Sequence, residues 1–137
     1  MIDIENDVFE IVASAIEAEH PGAYVSGEYT DAPARFPAVT IMEASNSVYN
    51  RMRTVNIENA VLVMYEVNVF SNRASGKKAE AKSIVKTMDE AFATLGFTRS
   101  FSNQVPNLND STIHRIICRY EAVVGPGESG KYIIYQN

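Results

Sequence analysis

The sequence predicts a two-layer α+β protein. Two helices pack on a mostly antiparallel, mixed sheet of about five strands, in the order α-β-β-β-α-β-β. Three observations lead there. Two segments carry apolar residues at three- and four-residue spacing. Between and after them lie runs that alternate apolar with polar residues, bounded by Pro, Gly and Asn. A chain of 137 residues suffices for one good core and is too short for two, so residues 1–137 read as a single domain.

The first helix rests on Ile4, Val8, Ile11, Val12, Ala15 and Ile16, with Glu5, Asp7, Glu10, Glu17 and Glu19 mostly on the other face. Asp3 or Asn6 can cap it, and acidic side chains in the first turn suit the positive end of the helix dipole. Pro21-Gly22 stops it. A short strand is expected over Ala23 to Tyr29, then a loop from Thr30 to Pro37 broken by Pro33 and Pro37. Ala38 to Ala44 alternates as the next strand, and Ser45 to Asn59 reads as a polar connection carrying Arg51 and Arg53. Val61 to Phe70 is the longest uninterrupted alternation. Its first half is apolar on both faces, which predicts a central strand covered on both sides there and wetter on one face beyond.

Ser75 to Leu95 carries the clearest helical stripe: Ala81, Ile84, Val85, Met88, Phe92 and Leu95. Ser75 is the expected cap, and Gly96 fits the left-handed residue that closes many helices. Phe97, Arg99 and Phe101 alternate as a short strand, followed by an Asn-rich loop from Ser102 to Ser111 with Pro106 inside it. Thr112 to Val124 is the last long strand. Gly125 to Gly130 is a turn, and Lys131 to Tyr135 reads as a short edge strand or docking tail.

Composition excludes several classes. Apolar residues at 46 % and charged residues at 21 % fit a folded globule and exclude wholesale disorder. No apolar run is long enough to span a membrane, and no basic stretch followed by an apolar one opens the chain, so neither insertion nor secretion is expected. One cysteine, Cys118, makes no internal disulfide and no zinc set. The net charge of −5 argues against a sequence-independent nucleic-acid binder. It is unevenly spread: residues 1–70 sum to −8 and residues 71–137 to +3. Such asymmetry is either chance with ordinary solvated faces or a molecule with unlike faces that can dock head to tail with copies of itself.

No motif carries catalysis. Gly125 to Lys131 matches the opening of a phosphate-binding loop, but Tyr132 stands where Ser or Thr should hold magnesium, and Tyr-Ile-Ile-Tyr favours a strand where a helix is needed. His20 suits the negative end of the first helix, and His114 alternates with core residues on a strand. His114 and Cys118 would lie roughly 13 Å apart at strand rise, too far for proton transfer. Glu10 and Glu17 read as a solvated face, and Asn107, Asn109 and Asp110 lack the charge and closing Glu of a calcium loop. No catalytic residue, cofactor or metal is expected. The departure from a bland surface is Lys78, Lys82 and Lys86, four apart on the second helix, with Lys77 beside them. Such a row is either an ordinary solvated face or a surface that meets the acidic half of another subunit.

Several strings together resemble a family: Phe36-Pro37 before a strand, Tyr65 to Asn72, Gly76-Lys-Lys78 opening a helix, Leu95-Gly-Phe97 with Arg99, Pro106-Asn107, and Arg115 to Tyr120. From about Phe36 to Val124 the chain is similar to siphophage and prophage tail terminator proteins, the head–tail joining class. The resemblance implies a structural virion protein, a hexameric ring that ends the tail tube and presents a docking surface to the head. Its implied partners are other copies of itself, the tail tube protein and a head-completion or connector protein. DNA only passes through, and no membrane is involved. It implies a place at the head–tail junction after assembly in the host cytoplasm. The candidate contact residues are Arg51, Arg53, Lys77, Lys78, Lys82, Lys86, Asn107 and Asn109. The alternatives are another phage morphogenesis protein, such as a head-closure or tail-tube component, and a cytosolic ligand-binding α+β domain.

Overall fold

A computed structural model describes residues 1–30, 32–49, 60–107, 110–126 and 132–135. The order is α1 (Glu5–Glu19), β1 (Tyr24–Ser26), β2 (Ala38–Val48), β3 (Val61–Ser71), α2 (Lys77–Leu95), β4 (Thr98–Pro106), β5 (His114–Pro126) and β6 (Tyr132–Tyr135). The strands lie in the order β1-β2-β3-β5-β4. β1 runs parallel to β2 and every other pairing is antiparallel, so the sheet is mixed and the fold is α+β as expected. β6 pairs with Val123–Pro126 of β5, beyond the stretch that β4 occupies, and so continues the β4 edge.

Both helices cover the same face. On β3, Val61, Val63, Tyr65, Val67 and Val69 are fully buried beneath them. Val39 and Ile41 of β2 and Ile116, Cys118, Tyr120, Ala122 and Val124 of β5 extend that layer. From above come Val8, Val12 and Ile16 of α1 and Ala81, Ile84, Val85, Met88 and Phe92 of α2. Each large aliphatic or aromatic side chain buried this way contributes roughly 1.5–3 kcal/mol. Phe92 stacks on Tyr120 with ring centroids 4.2 Å apart, and Phe97 meets Tyr65 and Phe92 edge-on. The helices run antiparallel. His20 shares a hydrogen bond with Thr87 at 3.2 Å, while Ile4 and Val8 lie by Leu95.

Several expected boundaries move. The first strand is only Tyr24–Ser26. β2 continues to Val48 through the start of the expected polar connection, because a bulge at Ala44 shifts its phase and turns Asn46, not an apolar residue, toward α1. β4 likewise takes in Ser102–Pro106, expected as loop. It is a largely exposed edge strand with a bulge at Ser100, so it carries no apolar alternation. Ser75 does not cap α2; the N-cap is Gly76 in the left-handed region, with no side-chain cap. Gly96 closes α2 at φ 97° as expected. The covering of the second sheet face is reversed. Leu62 and Met64 are half-buried, whereas Asn68 and Phe70 are buried, because Phe36, Ile113 and the Arg115 side chain cover that end.

Candidate assembly surfaces

The ends of the helix pair differ in charge. Along the first half of α2, Lys78, Lys82 and Lys86 are exposed in one row, as their spacing predicts. Lys77 is not beside them in solvent. It is half-buried, and its Nζ donates to the Thr112 carbonyl at 2.9 Å, which ties α2 to the entry of β5. The next residues along bring His114 under this patch. His114 is 8 % exposed, and its Nε2 is buried with no partner among the described residues. Burial first, then the positive field of Lys78, Lys77 and Lys82, holds its pKa below the usual value, so the ring is neutral at pH 7.

Lys77, His114, Arg115, Pro106 and Asn107 wall a cleft of about 280 Å³ between α2 and the β4–β5 turn. Asn107 was expected on an exposed loop, but it is 5 % exposed and belongs to this wall. Two hydrogen bonds from Thr112 hold the Asp110 pKa down, and the charge of Lys77 adds to them. The Asp110 carboxylate accepts from the Thr112 N–H at 2.9 Å and hydroxyl at 2.6 Å. Arg51, Arg53 and Asn109 lie outside the described residues.

The start of α1 is the acidic counterpart. Asp3 accepts from the Glu5 N–H at 3.0 Å, and Glu5 accepts from the Glu43 N–H at 2.9 Å. Asn46 donates to the Ile2 carbonyl at 2.8 Å and to Glu43 at 3.2 Å. Burial and the nearby Glu5 and Asp3 charges push the Glu43 pKa up, against the pull of Asn46. Beside this cluster an apolar groove of about 460 Å³ is lined by Ile4, Val8, Ile11, Leu95, Tyr132 and Ile134, with Asp7 and Glu10 also in its lining. Ile11 and Tyr132 are 50 % and 40 % exposed there.

The sheet face away from the helices carries an arginine network outside the candidates read from sequence. Arg115 donates twice to the Asn68 carbonyl oxygen, at 3.0 and 2.8 Å, and lies over the rings of Tyr29 and Phe70. Arg119 donates twice to Glu66, at 3.2 and 3.0 Å, and lies over Phe101. The signal that marks them is two arginines four apart on one strand face, set against polar residues two apart on another strand.

The lone thiol gains no site among the described residues, and most of the phosphate-loop string falls outside them. Residues 127–131 lie outside the described residues, and Tyr132–Tyr135 after them is a strand. Cys118 is buried, its Sγ donates to the Ser102 hydroxyl at 3.3 Å, and burial pushes its pKa up. Among the described residues no group of three or more His, Cys, Asp or Glu could hold a metal, and no helix is long and apolar enough to cross a membrane. No protein-family model matches the chain, and no curated protein matches it.

Proposed function

We propose that the chain is a structural, ring-forming subunit of the tail terminator kind, which ends the tail tube on the head side and offers the head a docking surface. The observation that supports this is that the lysine-rich start of α2 and the acidic start of α1 lie at opposite ends of one antiparallel helix pair, with Glu17 and Glu19 of α1 at the lysine end. α2 has 19 residues, so its lysine-rich start and the acidic start of α1 are about 27 Å apart. Far beyond a Debye length of ~8–10 Å, they do little for one another within a copy. Two different surfaces that complement each other make a head-to-tail contact, and such a contact closes into a ring when its rotation divides the circle. The resemblance to tail terminators supplies the setting and the number six.

The test is tail assembly in vitro with every other component present. Tails assembled without the chain are expected to run on to uncontrolled lengths and to leave heads unjoined. Adding the chain should restore both a defined end and joining. Tails that end correctly and join heads in its absence would overturn the reading.

A further inference from the structure

We propose that the cleft walled by Lys77, Asn107 and His114 receives a carboxylate from Asp7 or Glu10 of an adjoining copy. The proposal deepens the ring reading and rests on it for its biological setting.

The cleft differs from a bare lysine patch. The Thr112 carbonyl at 2.9 Å takes one N–H of Lys77, leaving two donors on an ammonium already held at the wall. His114 brings a ring nitrogen that is buried and unpartnered among the described residues. Lys78 and Lys82 act on the same ring from the exposed side. A carboxylate placed here meets the charged Lys77 donor beside the buried His114 ring, within the positive field of Lys78 and Lys82. The space of about 280 Å³ suits the end of one side chain. A duplex would bring its phosphates against a chain of net charge −5.

The matching carboxylates are on the chain itself. The three ion pairs among the described residues use Glu80, Asp89 and Glu66, and none uses Asp7 or Glu10. Both are exposed beside the apolar groove. That setting favours an intermolecular pair, because apolar surface closing around a charge contact keeps water away and strengthens it. The receptor and donor are on different parts of the surface, so each copy offers one of each.

Sedimentation of the full chain tests this up to about 1 mM, the range of weak contacts. The wild type should grow beyond a dimer. Lys77→Ala/Lys78→Ala and Asp7→Ala/Glu10→Ala should each associate at least about tenfold more weakly. An equimolar mixture of the two variants should form a dimer and stop, since only one intact receptor and one intact donor remain per pair. Zero-length carbodiimide coupling of the wild type, read by mass spectrometry, needs no variant. It should join the Lys77–Lys78 segment of one copy to the Asp7–Glu10 segment of another. A wild type that stays monomeric across the range, a mixture no different from its components, or couplings only elsewhere would each overturn the proposal. So would a duplex oligonucleotide retarded by the wild type and not by Lys77→Ala/Lys78→Ala, which would assign the cleft to phosphate. If the mixture stops at a dimer while tails end normally without the chain, the contact stands and the tail-end role falls.

Discussion

Two buried tyrosines illustrate how one hydroxyl can cost and another contribute. Tyr120 donates to Asp89 at 3.0 Å, and Asp89 also faces Arg99. The Tyr65 hydroxyl is buried with no partner among the described residues. Tyr120→Phe should therefore lose about 1 kcal/mol of folding stability, whereas Tyr65→Phe should be neutral or gain up to about 1 kcal/mol. Denaturant titration of both variants checks the opposite signs. His114 supplies a pH test. Its folded pKa is below 6.5, so between the two values the unfolded chain binds the extra proton. Stability present above about 6.5 is thus lost as pH falls toward the folded pKa. Subtracting the pH dependence of His114→Gln from that of the wild type should leave this slope, and a flat difference would remove the burial argument. Neither tyrosine's environment was legible in sequence, since alternation puts both on an inner face without saying what the hydroxyl meets. The burial of His114 was legible; the lysines around it were not, because Lys77 and His114 meet only through the tertiary fold.

At the level of elements, legibility followed burial. α2 and β3 press apolar side chains into one core, so period alone located them. β4 is an edge strand whose side chains mostly face water, and nothing in Ser102–Pro106 distinguishes it from a loop until β5 pairs with it. The far half of β2 was hidden by one inserted residue, Ala44. The two glycines flanking α2 make a direct comparison. Gly76 and Gly96 both have positive φ, a region that costs other residues roughly 1–2 kcal/mol. A Cβ at Gly76 meets nothing within 4 Å, whereas at Gly96 it comes 3.0 Å from Ile134 Cγ2. Gly76→Ala should cost about 1 kcal/mol and Gly96→Ala at least about 2, since contact with β6 adds to backbone strain. Thermal unfolding of the pair tests the ranking.

For the whole molecule, folding and the proposed assembly should respond to the same lysines with opposite sign. Lys78 and Lys82 repel each other at four-residue spacing, and Lys78 sits in the first turn of α2, at the positive end of its dipole. Lys78→Glu/Lys82→Glu keeps two like charges at that spacing but suits the dipole end and sets an acid four residues before Lys86. Folding stability should therefore rise by a few tenths of a kcal/mol while the proposed ring weakens. Exposed pairs are worth about 0–1 kcal/mol each, so apolar contact carries most of the affinity and charge sets orientation and rate. Assembly should slow as salt rises, and the variant should lose most of that dependence; light scattering against ionic strength measures both. The charge asymmetry was visible in sequence as unequal halves. The antiparallel helix pair sets the acidic start of α1 and the lysine-rich start of α2 at opposite ends, an arrangement that no count of residues contains.

The sheet's own borders add a constraint of a different kind. β1 exposes only three residues of backbone, and β4 is interrupted at Ser100 and ends on Pro106, which has no N–H to give. At these two places a neighbour approaching sideways finds only a short or broken ladder to extend. Stacking side by side into fibres is disfavoured at those borders, which suits the proposed ring, whose growth has a last member.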